Sequence, residues 1–227
     1  MRKKESINSI KKRVISGTVS DYVSKIVAFL NEKKFSSILE IGPGFCSTPM
    51  FIEYAKNNGS YVVSIENVQK WQKKLVEEYP TDNYHEIIFS EVVIEKDEQI
   101  KYDYNFNRMF DFVSIDGPGN LQGYKYYKRS MKDQLEPYDM KYYRLAVLQS
   151  SWVLDNIWDN IKVGACIFVD KRVSSVLYFL RKYKDKIIYR PLGQKANKIE
   201  LKSVVKNGLT QKDIEISSCS LLIKVKK

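Results

Sequence analysis

Short apolar runs alternate along the chain with longer segments whose apolar residues recur every three or four positions. The runs at 36–42 and 61–65 carry few charges and end at a glycine or an acid, a pattern typical of buried strands. The segment 18–34 places Tyr22 and Ile26 at helical spacing. Strands and helices that alternate in this way predict an α/β fold, doubly wound, with a mostly parallel sheet and helices on both faces.

The same pattern sets the expected order of elements. Seven strands are predicted, at 36–42, 61–65, 85–93, 110–115, 164–170, 186–191 and 216–226, and helices at 18–34, 47–56, 68–79, 140–161 and 174–184. No helix is predicted between the last two strands, so we expect an antiparallel C-terminal hairpin at one edge of a seven-stranded sheet. Residues 95–109 are expected to form a charged loop. Right-handed crossovers place the carboxyl ends of the parallel strands at one edge, where such sheets bind ligands.

Composition narrows the class of protein without identifying a ligand. A chain of 227 residues that is 44% hydrophobic suits one folded domain. No apolar run approaches the ~20 residues that span a bilayer. Three widely spaced cysteines and a basic, non-apolar start favour a reduced, cytoplasmic protein. His85 is the only histidine, which excludes His-based triads and His metal sites.

The net charge of +11 raises the question of a nucleic-acid partner. However, 30 of the 38 basic residues are lysines, and they are spread along the whole chain. Nucleic-acid grooves tend to use arginine for bidentate and stacking contacts. We therefore interpret the charge as a solvated lysine surface and keep nucleic acid as the less favoured alternative.

The segment SILEIGPGFCST, residues 37–48, runs from a predicted strand into two glycines. A phosphate-binding P-loop would require a Gly-Lys-Ser/Thr sequence, and this loop has no lysine. A dinucleotide fingerprint would require a third glycine where Ser47 stands, and its pyrophosphate would be repelled by Glu40. A cationic ligand fits an acid at this place better. The alternative that Gly42 and Gly44 only form a tight turn stays open.

Together with acids at two further strand ends, this motif resembles the class I S-adenosylmethionine-dependent methyltransferases. Glu66 ends the second predicted strand and Asp116 ends the fourth, while Cys46 stands where that family has a third loop glycine. The resemblance covers about residues 35–190. It implies that residues 35–227 form a Rossmann-like methyltransferase domain, preceded at 1–34 by a basic arm and a helix that packs on the core.

The resemblance also implies a set of cofactor-binding residues. In that family the glycine loop passes under the methionine and ribose parts of S-adenosylmethionine, and the segment after the third strand contributes to adenine binding. The acid that ends the second strand holds the ribose, because a carboxylate accepts hydrogen bonds from two vicinal hydroxyls. The residues implied are Glu40, Gly42, Pro43, Gly44, Phe45, Glu66, Asn67, Ser90, Glu91 and Asp116.

Asp116 and Asp170 end neighbouring predicted strands and are the candidate catalytic residues. A hydroxyl acceptor needs a base or a metal to remove its proton. Some O-methyltransferases of this class hold a divalent metal with acids at these two places, but Lys171 follows Asp170 here, so we predict no metal. Asp116 is predicted to be the more important of the two acids. Its alternative role, as a turn-capping residue ahead of Gly117, stays open.

The acceptor is the least defined part of the prediction. The Asp-Gly-Pro turn at 116–118, together with Arg129 and the later Asp-x-Arg motif, resembles a group of these enzymes found with glycan and other small-molecule modification. A Tyr-rich insertion at about 119–144 lies where this fold carries substrate-binding insertions, although a lid or a homodimer contact is an open alternative. Substrate-binding roles are expected for Tyr124, Arg129, Arg144 and Arg172.

The expected activity is therefore O-methylation of a small molecule or glycan with S-adenosylmethionine as cofactor. An RNA methyltransferase is one alternative, and a non-catalytic, cofactor-binding member of the fold is the other. Fold alone does not decide between them.

Overall fold

The computed structural model describes residues 21–94, 100–117, 153–170, 173–183, 185–192 and 219–227. The basic N-terminal arm and the Tyr-rich insertion lie outside these described residues, so what the sequence predicts for them stays a prediction. The four predicted substrate-binding residues lie outside them too: Tyr124, Arg129, Arg144 and Arg172.

Nine strands and four complete helices are formed by the described residues. The helices are α1 (Asp21–Glu32), α2 (Ser47–Asn58), α3 (Gln69–Glu78) and α4 (Val173–Lys182); residues 153–157 are also helical and lead into a 3-10 turn, Trp158–Asn160. The strands are β1 (Ser37–Ile41), β2 (Tyr61–Glu66), β3 (His85–Phe89), β4 (Val92–Ile94), β5 (Ile100–Tyr102), β6 (Phe110–Ile115), β7 (Ile161–Asp170), β8 (Ile187–Pro191) and β9 (Cys219–Lys224).

Seven of these strands form one sheet in the order β3-β2-β1-β6-β7-β9-β8. The first five strands in this order, β3, β2, β1, β6 and β7, are parallel to one another. The strand β9 runs antiparallel to both of its neighbours, β7 and β8. The predicted seven-stranded, mostly parallel sheet with an antiparallel C-terminal hairpin is therefore confirmed. Among the described residues, no helix is both long and apolar enough to cross a membrane.

The predicted third strand, 85–93, is wrong in its second half. β3 ends at Phe89, and β4 pairs with β5 in a separate antiparallel hairpin, so the predicted loop at 95–109 contains a strand. The chain leaves the sheet at Ser90, whose N–H still donates to the Glu66 carbonyl. At the next residue, the Glu91 carbonyl accepts from the Asp103 N–H instead. The two partners of this hydrogen bond are twelve positions apart, so the local apolar pattern does not predict it.

The predicted helix 140–161 is also wrong at its end. Helical structure stops before Trp158, and β7 begins at Ile161, three residues earlier than the predicted start at 164. Ile161 lies four positions after Ile157, so the apolar pattern keeps a helical spacing across the point where the helix has already ended. In the structure Ile161 pairs with Phe110 of β6, and this sheet contact decides its conformation.

The two faces of the sheet bury different clusters of side chains. Leu39 and Val63 face one cluster, together with the helical residues 153–157 and α4. Ile38 and Val62 face the other, which includes residues of α1 and α2. The described part of the predicted N-terminal unit therefore packs on the core through α1, with buried side chains at Ile26, Val27 and Leu30. The boundary of that unit stays a prediction.

Candidate functional site

The strand register brings four predicted site residues into one row at the carboxyl edge of the sheet. Ile41 pairs with both Ile65 and Ile115, and Ile115 pairs with Val169. The residues that come next in each strand are therefore level with one another. They are Gly42, Glu66, Asp116 and Asp170, which the sequence predicted separately at four strand ends.

Gly42 and Gly117 are held against each other at the centre of this row. Gly42 has a φ of 82°, and a Cβ on it would lie 2.7 Å from the backbone of Asp116 and Gly117. A Cβ on Gly117 would lie 2.8 Å from the Gly42 nitrogen. Both positions therefore require glycine for reasons internal to the protein. Gly117 was not among the predicted site residues, although its place beside Asp116 was the available signal.

Gly44 differs from these two glycines. Its φ is not positive, and a Cβ there would meet only the Ser47 hydroxyl, at an ordinary distance of 3.7 Å. The described protein atoms do not require glycine at this position. Among the described residues, space is therefore left beside the loop, as close approach of a ligand to the backbone would need.

Both glycine amides of the loop are already occupied. The Gly42 N–H donates to the Ile65 carbonyl (3.1 Å), and the Gly44 N–H donates to the Thr48 hydroxyl (3.0 Å). The Thr48 N–H in turn donates to the Gly44 carbonyl (3.0 Å). A phosphate-binding loop presents unpaired amides to its ligand. These hydrogen bonds, together with the acid nearby, speak against a phosphate ligand here.

Glu40 is buried beneath this loop, with 1% of its surface exposed. Its Oε2 accepts from the hydroxyls of Thr48 (2.9 Å) and Ser64 (2.7 Å). Its Oε1 makes no hydrogen bond of good geometry with a described residue, although the Ser47 hydroxyl lies close enough to lower the pKa of the carboxyl. Burial raises the pKa of Glu40 from 4.5 to about 7, although the hydroxyls of Ser47, Ser64 and Thr48 lower it, and the charge of Asp116 raises it further. A buried carboxylate with one unpartnered oxygen is suited to a cationic ligand.

Glu66 ends β2 and is also buried. Its Oε1 accepts from the Val68 N–H at 2.7 Å. Burial raises the pKa of Glu66, while the backbone N–H groups of Val68 and Asn67 lower it. Ser90 lies beside it, since the Ser90 N–H donates to the Glu66 carbonyl (3.0 Å), and Glu91 is exposed. The structure therefore brings the predicted ribose and adenine positions together.

Pro43 and Phe45 are held by α3. The Pro43 carbonyl accepts from the indole N–H of Trp71 (3.0 Å), and the Phe45 ring packs edge-to-face on the Trp71 ring with centroids 5.0 Å apart. The Phe45 ring also contacts Tyr79. These contacts fix the shape of the loop, and Trp71 is a residue that the sequence pattern did not single out. A direct cofactor contact by Pro43 or Phe45 stays a prediction.

The two candidate catalytic acids differ in exposure. Asp116 is exposed, and its N–H donates to the Ile41 carbonyl (2.9 Å), whereas Asp170 is 5% exposed at the end of β7. Lys171 follows Asp170 but lies outside the described residues. Within the part of the chain that the structure describes, no three His, Cys, Asp or Glu side chains are grouped to hold a metal.

Comparison with solved structures identifies the architecture. The plantazolicin methyltransferase BpumL in complex with SAH matches with a TM-score of 0.50 and 11% identity, over 90% of this chain and 83% of that one. The chain has the fold of the class I methyltransferases. The SAH-bound methyltransferase PaMTH1 of Podospora anserina matches likewise, with a TM-score of 0.50 and 12% identity, over 97% of this chain and 86% of that one. No protein-family model and no curated protein matches the sequence.

Proposed function

We propose that the protein is an S-adenosylmethionine-dependent methyltransferase that methylates an oxygen of a small molecule or glycan. The observation that carries the proposal is the buried carboxylate of Glu40, whose Oε1 has no partner among the described residues, beside the open backbone at Gly44. The two solved methyltransferases of the same fold that carry SAH support the choice of cofactor.

The residues present fit this cofactor at its amino end. S-adenosylmethionine supplies an activated methyl group and carries an ammonium and a sulfonium charge. Glu40 would accept a charge-assisted hydrogen bond through Oε1, and the positive charge would offset the cost of its burial. Gly44 would allow the ligand to pass close to the backbone. Neither Gly42 nor Gly44 has an amide left for a phosphate, and the buried Glu40 suits a cation better than an anion.

Glu66 would hold the ribose. The Val68 N–H already fixes one carboxylate oxygen, so the side chain is oriented before a ligand arrives. Its position at the end of β2 is level with Gly42, which follows the neighbouring strand β1. Asn67, Ser90 and Glu91 continue from the same strand ends and would line the adenine side.

Asp116 would act on the acceptor. It is exposed at the centre of the row, and the contact between Gly42 and Gly117 fixes the backbone that carries it. An exposed carboxylate here can take the proton from an acceptor hydroxyl as that oxygen is methylated. Asp170 lies one strand further along and is buried, which suits a supporting role.

The net charge of +11 is the observation that favours the second candidate, an RNA acceptor. It is a property of the whole surface and does not point to a groove. The two candidates share the cofactor and differ only in the acceptor.

Calorimetry with S-adenosylmethionine and with its demethylated product tests the proposal directly. We expect binding by the wild-type protein and a weakening of roughly five- to a hundredfold for Glu66→Ala, equivalent to about 1–3 kcal/mol for lost hydrogen bonds. The exposed acid of α3 provides a matched control, since Glu77→Ala removes a carboxylate outside the site. Absence of wild-type binding would refute the proposal. Transfer of a labelled methyl group to members of a glycan, small-molecule and RNA panel would then identify the acceptor class.

A further inference from the structure

A chain of hydrogen bonds links the glycine loop, α2 and β2 through Glu40. The Gly44 N–H donates to the Thr48 hydroxyl (3.0 Å), which donates to Glu40 Oε2 (2.9 Å). The Ser64 hydroxyl donates to the same oxygen (2.7 Å). Thr48 and Ser64 are both completely buried, with 0% of their surface exposed.

The donor and acceptor in each of these hydrogen bonds are fixed by the number of protons available. A backbone N–H can only donate, so the Thr48 oxygen must accept from Gly44. Thr48 therefore has its single hydroxyl proton left for Glu40. Ser64 contributes its single proton to the same carboxylate oxygen. Both donors act on Oε2, and Oε1 is left as the acceptor that a ligand can use.

We propose that Thr48 and Ser64 are positioning residues of the cofactor site, which orient Glu40 toward the positively charged amino end of S-adenosylmethionine and couple its binding to the release of a proton. The inference rests on the proposed function. It adds two buried residues, Thr48 and Ser64, to the set of cofactor-site residues predicted from the sequence.

Proton release follows from what surrounds Glu40. Burial holds the pKa of this carboxyl near 7 in the free protein, so a large fraction is protonated just below neutral pH. The groups that face it within the described residues are hydroxyls, which favour the ionised form, and acids, which oppose it, so a bound cation would favour the ionised form further. They are Ser47 and Thr48 of α2, Ser64 of β2, Ser114 of β6, and Asp116 directly after β6.

Thr48 offers a matched pair of substitutions. Thr48→Val keeps the shape and removes the donor, whereas Thr48→Ser keeps the hydroxyl. With one donor lost, the ionised form is less stabilised, and we expect the pH midpoint of cofactor binding to rise by about one unit. Thr48→Ser should restore the wild-type midpoint, and Ser64→Ala should shift it in the same direction as Thr48→Val.

The test is calorimetry of S-adenosylmethionine binding between pH 5.5 and 8.5, in pairs of buffers with different ionisation enthalpies, which counts the protons released. For the wild type we expect affinity to fall by up to about tenfold for each pH unit below 7, with proton release on that limb. The ligand's own amino group titrates in every variant alike, so comparison with Glu40→Gln isolates the carboxylate. In Glu40→Gln the proton release on cofactor binding that is due to the carboxylate should be absent. Adding Thr48→Val to this variant should not change the pH dependence of binding any further.

Ser60→Ala serves as the control for loss of a buried hydroxyl, because the Ser60 hydroxyl donates to the Phe35 carbonyl away from the site. It should lower the melting temperature without moving the pH midpoint. Equal midpoints for Thr48→Val and wild type, or equal shifts for Thr48→Val and Thr48→Ser, would overturn the inference while leaving the proposed function intact. A wild-type protein that binds no cofactor at any pH would overturn both.

Discussion

Replacing Glu40 with glutamine removes a charge from the interior while keeping the shape of the side chain. The glutamine oxygen can accept from Thr48 and Ser64 as Oε2 does, and its amide would take the place of the unpartnered Oε1. The buried amide donors cost the same at every pH, so the pH dependence of the stability difference reports on ionisation. Because burial raises the pKa of Glu40 in the folded protein, the folded state binds its proton more tightly than the unfolded state does.

The sign and size follow from that difference. The stability that the protonated Glu40 contributes is fully present below pH 4.5 and is lost as the pH rises through about 7. The two pKa values differ by about 2.5 units, and each unit corresponds to about 1.4 kcal/mol, so the wild type loses about 3 to 4 kcal/mol relative to Glu40→Gln over this range. For a chain of this size that equals roughly 6 to 16 °C in melting temperature.

Urea or thermal unfolding of both proteins between pH 4 and 9, without cofactor, measures this difference. The curve of wild-type minus variant stability should fall between pH 4.5 and 7 and be flat above about 8. Glu77→Gln supplies the control for removing an exposed carboxylate of α3 that lies outside the site. A flat curve for Glu40→Gln would refute the assignment of a strongly destabilised buried carboxylate.

Three further predictions concern the rest of the site. Gly42→Ala should cost more than about 2 kcal/mol of folding free energy in urea unfolding, because of its positive φ and backbone contacts, whereas Gly44→Ala should change stability little and weaken cofactor binding in calorimetry. Asp116→Asn should lower turnover roughly a hundredfold with little change in cofactor affinity. A larger loss of turnover for Asp170→Asn, or an activity that requires an added divalent cation, would favour a metal-bridged mechanism instead. RNA binding should be weak and fall steeply with salt in filter or anisotropy titrations, and tight sequence-selective binding would move RNA to first place.

The sequence predicted the edge of the sheet better than the contacts beneath it. Apolar runs that end in Gly42, Glu66, Asp116 and Asp170 are local signals, and parallel pairing aligns such ends at one edge. The partners of Glu40 were not predictable in this way. Ser64 lies 24 residues from Glu40 along the chain, and its hydroxyl meets the carboxylate only because β1 and β2 pair in one register.

Two other features depended on contacts between distant segments. Gly117 must be glycine because Gly42 approaches it from another strand end, which no local pattern records. The hairpin of β4 and β5 forms from two three-residue strands, too short for a clear period-2 pattern beside charged residues. The fold class survives such errors because it depends on the number and order of the long apolar runs.

The position of β9 inside the sheet has a consequence for the order in which the protein opens. Among the described strands, β8 is hydrogen-bonded only to β9, so β8 belongs to the sheet only while β9 is in place. The residue pair Cys166 and Ile223 joins β7 to β9 across a large sequence separation, which makes this pairing slow to form. Amide hydrogens of β8 should therefore never exchange more slowly than those of β9, because β8 can leave the sheet first but cannot stay in it after β9 has left.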